Sequence, residues 1–153
     1  FRKLYEYEMI DFEIIFFQKR SELKKNIVLW LSYHKIYEHF DQFISNITNG
    51  IYILTNKDYD SVKILAENFG FINKVEDILS REISSNKAIL FEYFFKKHKL
   101  LLNSKRIVFV DDNEFHLASV RKFSIEPYFA SWGYAKVQKY NKFKEINSFM
   151  EIV

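Results

Sequence analysis

Two adjacent carboxylates, Asp111 and Asp112, follow the short apolar run 107–110. A run without polar alternation is typical of a strand in a parallel sheet that is covered on both faces. Open α/β sheets bind ligands beyond the carboxyl ends of their strands. Two neighbouring carboxylates repel each other unless a cation compensates them, and hard oxygen ligands suit Mg²⁺. The pair therefore indicates a metal site, although one carboxylate, or Asn113, would equally cap the helix that begins at Glu114.

Thr55 and Asn56 end an earlier apolar run, and Lys87 opens a predicted helix ahead of the acidic strand. Strand ends and the starts of the following helices share one edge of a parallel sheet, so we expect these residues to converge there. A cation in the first turn of a helix faces the positive end of the helix dipole, which indicates that Lys87 meets something else, such as a phosphoryl group. The alternatives are that Lys87 points into water and that Thr55 and Asn56 only cap a helix.

The elements that position these residues form two parts. Residues 1–49 carry apolar side chains at roughly helical spacing and contain no Gly or Pro, which predicts a helical arm. From Ile51 onward, short apolar runs alternate with amphipathic segments, as in a parallel sheet with crossover helices. The predicted strands are 51–54, part of 71–79, 106–110 and 128–131, and the predicted helices are 58–68, 87–101, 114–123 and 143–152. The predicted fold class is α/β, with a Rossmann-like three-layer parallel sheet at 50–153 and an N-terminal helical arm or cap segment at 1–49.

Composition narrows the class of protein. A length of 153 residues suits one domain, and the absence of Cys excludes a disulfide scaffold, a zinc-thiolate site and thiol catalysis. The net charge is +3, with 23 basic and 20 acidic residues that are scattered, so no nucleic-acid partner is expected. No apolar run approaches the ~20 residues of a membrane span, and we expect a soluble cytoplasmic protein without a membrane partner. The chain opens at Phe1 without an initiator Met, and we expect it to begin inside a longer polypeptide.

In their order and spacing, these segments resemble the haloacid dehalogenase-like superfamily of phosphohydrolases over roughly residues 50–134. The sequence ILTNK at 53–57 resembles its second motif, in which a Ser or Thr after a strand binds a phosphoryl oxygen. The sequence SNKA at 85–88 resembles the third motif, whose Lys balances the charge of the nucleophile and the phosphate. The sequence VFVDDN at 108–113 resembles the fourth, whose acidic pair binds Mg²⁺.

The resemblance implies a role for each of these residues. Thr55, Asn56 and Lys87 would bind the substrate, and Thr55 and Lys87 would also be catalytic. Asp112 would be the direct Mg²⁺ ligand, and Asp111 a second or water-mediated one. Phosphoacceptor receiver domains use similar residues, but their acidic pair comes first in the chain, whereas here it comes last. The order therefore excludes a receiver domain.

Two positions depart from the family pattern. His116 stands four residues after Asp112, where the family often has Asp or Asn. The first motif of the family is Asp-x-Asp after an N-terminal strand, with the first Asp as nucleophile and the second as acid/base. No such N-terminal motif occurs, and the nearest match there, 11–13, reads Asp-Phe-Glu without a following Gly-Thr. Either the sequence begins downstream of the nucleophile strand, so that residues 1–49 are the rest of a cap, or the protein lacks catalytic ability.

The resemblance therefore implies a Mg²⁺-dependent phosphatase that acts on a small phosphorylated metabolite through an aspartyl-phosphate intermediate. Its nucleophile Asp would lie outside the sequence. The alternative is a non-catalytic binding or scaffolding protein of the same fold, which engages a partner through the helical arm. The aromatic content of that arm also predicts a possible homodimer.

Overall fold

The computed structural model describes residues 2–98, 106–135, 138 and 142–153. The chain divides into two compact units, one that ends at Ile36 and one that runs from Tyr37 to Val153. The predicted domain boundary, with a helical arm at 1–49 and an α/β core at 50–153, remains a prediction.

The first unit consists of helices α1 (Arg2–Lys24) and α2 (Ile27–Ser32). The side chain of Asn26 caps α2 by accepting a hydrogen bond of 3.1 Å from the Leu29 N–H, as expected of Asn at a helix start. Large apolar side chains along both helices are exposed, Phe12 and Val28 among them. The homodimer predicted for this arm stays a prediction. None of the described helices is both long and apolar enough to cross a membrane.

The second unit alternates strands and helices. Its elements are α3 (Phe40–Asn46), β1 (Ile51–Leu54), α4 (Tyr59–Asn68), β2 (Val75–Leu79), α5 (Lys87–Lys97), β3 (Val108–Asp111), α6 (Glu114–Ser119), β4 (Glu126–Ala130) and β5 (Lys144–Ile146), with short 3₁₀ helices at Ile72–Lys74 and Phe149–Ile152. Strands β1 and β2 pair in parallel, and β3, β4 and β5 form a second parallel sheet in that order. The predicted Rossmann-like α/β class with parallel strands is confirmed.

Helix α5 packs against both sheets. The ring of Phe94 contacts Tyr52 of β1 at a centroid distance of 4.9 Å, and the ring of Phe91 contacts Phe109 of β3 at 4.8 Å. Leu90, on the same face of the helix, is fully buried. Side chains three and four positions apart share one helix face, so a single apolar stripe of α5 holds β1 and β3 together.

The predicted C-terminal helix at 143–152 is wrong. Residues 144–146 form β5, which pairs with β4 from Tyr128 to Ala130, and only Phe149–Ile152 forms a 3₁₀ turn. Apolar residues in so short a segment fit a strand edge as well as a helix. The backbone hydrogen bonds that β4 offers decide between them.

The predicted strand at 128–131 begins earlier than expected and includes Pro127. The Glu126 N–H donates to the Ile107 carbonyl at 2.9 Å, so the next backbone nitrogen faces away from β3. On that side, pairing with β5 begins only at Tyr128, and the N–H that Pro127 lacks is not needed there.

The other predicted elements are close to the observed ones. Strand 51–54 and the helix starts near 58, 87 and 114 are confirmed. Gly70, predicted to stop α4, adopts φ of 75°, the left-handed conformation that favours glycine after a helix. Helix α6 ends at Ser119 rather than at 123. The predicted end of α5 at 101 lies outside the described residues.

We expect Phe91→Ala to destabilise the second unit by about 3–5 kcal/mol, because it removes a large core side chain and leaves a cavity. Phe91 is 3% exposed, whereas Ile89 on the same helix is 48% exposed. Ile89→Ala is the matched control and should change the free energy of unfolding by less than about 1 kcal/mol. Urea unfolding followed by circular dichroism measures both; equal losses would show that this stripe of α5 does not form the core.

Asp77, in the middle of β2, joins this strand to the carboxyl end of α5. Its Oδ2 accepts a hydrogen bond from Lys97 Nζ and lies 2.8 Å from His98 Nε2. Burial raises the pKa of Asp77, but the hydrogen bonds from Lys97 and His98 outweigh burial, so the pKa lies below its ordinary value. The ionised carboxylate therefore stabilises the folded state.

We expect Asp77→Asn to lower stability near neutral pH but not in acid. A carboxyl group whose pKa is lower in the folded state stabilises the fold above its unfolded-state pKa, and that contribution disappears as the pH falls through the folded-state value. Urea unfolding of both proteins at about pH 7 and about pH 2 tests this. A difference between them that is the same at both pH values would contradict it.

Candidate active site

Lys87 is buried at the first turn of α5. It is 6% exposed, and its Nζ donates a hydrogen bond to the carbonyl oxygen of Leu54, the last residue of β1. Asn86, not Lys87, caps the helix by accepting from the Ala88 N–H at 2.9 Å. Burial lowers the pKa of Lys87 below its ordinary value, and the nearby Asp111 partly opposes this. The alternative in which Lys87 points into water is therefore wrong.

Asp111, the last residue of β3, has both carboxylate oxygens engaged. The Asn113 N–H donates to Oδ1 at 2.8 Å, and His116 Nδ1 lies 3.1 Å from each oxygen. Asn113 provides the cap of α6, because its side chain accepts from the Phe115 N–H at 2.9 Å. Neither carboxylate of the acidic pair is needed for capping, and Asp111 is oriented by its neighbours.

Asp112 is held by the loop that follows β4. The Tyr134 N–H donates to Asp112 Oδ2, and a Cβ on Gly133 would overlap the Asp112 side chain. Only glycine lets this loop approach so closely. The sequence analysis did not predict this contact, and the glycine is the one signal that could have indicated it.

Thr55 and Asn56 follow β1 directly. The Thr55 N–H donates to the Leu79 carbonyl at 2.9 Å, and its Oγ1 accepts from the Lys57 N–H at 3.0 Å. A hydroxyl that accepts one hydrogen bond still carries a proton to donate. Helix α4 is capped by Asp58, whose Oδ1 accepts from the Ser61 N–H at 2.9 Å, so neither Thr55 nor the exposed Asn56 is its N-cap.

The five candidate residues all lie at one edge of the sheets. Lys87 contacts the carboxyl end of β1, one residue before Thr55, and its charge interacts with Asp111 at the carboxyl end of β3. Asp112 follows Asp111 directly. Asn56 is exposed beside Thr55. The strand order of a parallel sheet accounts for this arrangement, and the catalytic roles of these residues stay predictions.

Tyr37 also lies at this edge, and the sequence analysis did not identify it. Its ring centroid lies 6.4 Å from that of Trp132, the residue before Gly133. Burial raises the pKa of Tyr37, and the nearby Asp112 and Tyr134 raise it further. With 10 Tyr and 17 Phe in the chain, no sequence signal distinguishes this aromatic residue from the others.

The described chain contains no evident nucleophile motif at this edge. Asp11, from the nearest N-terminal match, lies inside α1 rather than after a strand. The sequence also contains Asp58-Tyr59-Asp60, which has the Asp-x-Asp spacing, but Asp58 caps α4 and accepts from the Ser61 hydroxyl at 2.7 Å. Asp60 is exposed in the first turn of that helix.

The acidic pair is suited to Mg²⁺ rather than to a metal that needs a full set of protein ligands. Among the described residues, no three His, Asp or Glu side chains are grouped to hold an ion. Magnesium usually keeps several waters and binds through one or two carboxylates together with substrate phosphate. Asp111, whose charge interacts with that of Lys87, and the adjacent Asp112 provide two carboxylates and so fit that pattern.

Comparison with known proteins identifies the fold. A hydrolase of the haloacid dehalogenase-like family from Streptococcus pneumoniae is similar in structure, with a TM-score of 0.63 over 86% of this chain and 69% of that one. The fold is haloacid dehalogenase-like. The two sequences are 16% identical, so the similarity concerns the fold alone. No family model matches the chain, and no curated protein does.

We expect Gly133→Ala to weaken divalent-cation binding at the acidic pair at least tenfold, because the added methyl group displaces the Asp112 carboxylate. Tyr134→Ala is the matched control. It keeps the backbone N–H that donates a hydrogen bond to Asp112 Oδ2, and it adds no atom near that carboxylate. Isothermal titration with Mg²⁺ and Mn²⁺ compares the variants. Unchanged affinity in Gly133→Ala would show that Asp112 does not hold the cation.

Proposed function

We propose that the protein is a Mg²⁺-dependent phosphohydrolase that acts on a small phosphorylated substrate. The observation that carries the proposal is the buried ammonium of Lys87 between the carbonyl of Leu54 and the carboxylate of Asp111. Burying a charge is costly unless it is paired. Asp111 offsets this cost only in part, because the pKa of Lys87 still lies below its ordinary value. A phosphoryl group bound beyond the ends of β1 and β3 would add negative charge beside the ammonium.

Four of the five candidate residues have a role in the chemical step, and Asn56 would only bind the substrate. Lys87 stabilises negative charge on the phosphoryl oxygens, and the hydroxyl of Thr55 donates to one of them. Asp112 and Asp111 would hold Mg²⁺, which would orient the phosphate and offset its charge. His116 and the Asn113 N–H fix the direction of the Asp111 carboxylate. Oriented groups of this kind are effective because they do not have to reorganise during the reaction.

We further propose that the nucleophile is an Asp on a strand between β1 and β3. Among the described strands, β1 pairs with β2 alone and β3 pairs with β4 on one side only. Helix α5 packs over both β1 and β3, and their carboxyl ends both lie beside Lys87. The facing edges therefore offer hydrogen-bonding groups to one more parallel strand.

The chemistry then takes two steps. The nucleophile carboxylate forms a bond to phosphorus while the bond from phosphorus to the leaving-group oxygen breaks, and that oxygen takes a proton from an acid. Water then attacks phosphorus and gives a proton back to the conjugate base of that acid, while the bond from phosphorus to the aspartyl oxygen breaks; this releases inorganic phosphate and regenerates the carboxylate and the acid.

Hydrolysis of an aryl phosphate by the full-length protein tests this function. Turnover should require Mg²⁺ and should be lost in Asp112→Ala, because the carboxylate that would hold the cation is gone. Metal chelation followed by addition of Mg²⁺ should restore activity to the unmodified protein only. Turnover that is independent of metal, or absent from the protein with its metal, would refute the proposal.

We expect Lys87→Met to lower kcat by roughly 10²–10³-fold with little effect on folding. The apolar side chain removes a buried charge, which offsets the lost hydrogen bond to Leu54, so the free energy of unfolding should change by less than about 1–2 kcal/mol. Lys96→Met is the matched control, since Lys96 is exposed on the same helix. A large loss of stability with normal kcat would make Lys87 a structural residue.

A further inference from the structure

An aromatic surface stands beside the acidic pair. Tyr37 and Trp132, with ring centroids 6.4 Å apart at an interplanar angle of 65°, form what we call the aromatic wall. Trp132 is joined to Asp112 through the next two residues, because Gly133 touches the Asp112 side chain and the Tyr134 N–H donates to it. The wall therefore lies next to the proposed phosphate site rather than elsewhere on the unit.

Other aromatic residues pack against the aromatic wall. The Trp132 ring lies 4.7 Å from that of Phe149, and Phe149 packs on Phe40 at 5.2 Å and on Phe43 at 5.1 Å. Phe43 is 7% exposed, so this group is anchored in the core. A rigid aromatic surface loses little conformational entropy when a ligand ring settles against it.

The wall is also accessible. Tyr37 is 48% exposed and the neighbouring Tyr134 is 98% exposed. Tyr134 follows Trp132 by two residues and its N–H donates to Asp112, so the wall and the acidic pair share one loop. Trp132 is partly exposed. A partly exposed pair of aromatic rings next to a charged site offers a binding surface for an apolar ring attached to an anion.

We propose that the protein selects phosphate monoesters whose leaving group is a planar aromatic ring, which packs against the aromatic wall while the phosphate lies at Lys87 and the acidic pair. This inference rests on the proposed function for the position of the phosphate. Ring packing of this kind is worth roughly two- to tenfold in affinity. Tyr37 and Trp132 are then specificity-determining residues that take no part in the chemical step.

Binding of two matched esters tests the inference. Phenyl phosphate and glycerol 2-phosphate carry the same phosphate group on an aromatic and an aliphatic leaving group. Isothermal titration of the full-length protein with Mg²⁺ should show phenyl phosphate binding roughly two- to tenfold more tightly. Tyr37→Leu should abolish this ratio without changing the affinity for glycerol 2-phosphate.

Tyr93→Leu is the matched control, because Tyr93 is 42% exposed on α5 and is no part of the wall; it should keep the preference. Trp132→Leu should also abolish the preference, but Tyr37→Leu is the decisive variant because its side chain is the more exposed. Equal affinity for the two esters, no binding of either, or a preference that survives Tyr37→Leu would overturn the inference.

Hydrolysis of the same esters separates this inference from the proposed function. Equal binding and equal turnover of both esters would leave the phosphohydrolase standing and refute the aromatic selectivity. A preference in binding that depends on Tyr37, without turnover of either ester, would support the selectivity and refute the hydrolytic function.

Discussion

The buried ammonium of Lys87 is the constraint to which the rest of the candidate site is fitted. Its hydrogen bond to the Leu54 carbonyl fixes the end of β1, and its charge faces Asp111 at the end of β3. Burying this lysine costs free energy, because burial disfavours its charged form. The helix that carries it must therefore be held firmly by other contacts, and the aromatic stripe of α5 supplies them.

The acidic pair shows how two identical side chains acquire different surroundings. Asp111 is oriented from its own strand and helix, by the Asn113 N–H and by His116. Asp112 is oriented from a different part of the chain, by the loop at Gly133 and Tyr134. Any movement of that loop would therefore act on one carboxylate and leave the other in place, so the two positions are coupled to different parts of the fold.

Much of this arrangement was predictable because it follows from local rules. The helix starts are marked by Asp58, Asn86 and Asn113, each of which accepts a hydrogen bond from the backbone of its helix. Once the strands were placed, the shared edge of a parallel sheet brought Thr55, Lys87 and the acidic pair together. These inferences need only residue type, spacing and strand direction.

What could not be predicted depends on contacts between distant segments. The segment at 143–152 has apolar spacing that fits two structures, and pairing with β4 selects the strand. The place of Tyr37 beside Trp132 and the approach of Gly133 to Asp112 join segments whose proximity no local pattern encodes.

The packing of α5 across both sheets also affects how the second unit unfolds locally. No backbone hydrogen bond joins the described strands of one sheet to those of the other, so side-chain packing couples them. That packing includes α5 and the ring of Phe40, which contacts Phe71 ahead of β2 and Phe149 after β5. Units of local unfolding follow contiguous supersecondary motifs. The strand proposed above between β1 and β3 would therefore do more than carry a nucleophile: by pairing with both strands it would join the two sheets into one cooperative unit.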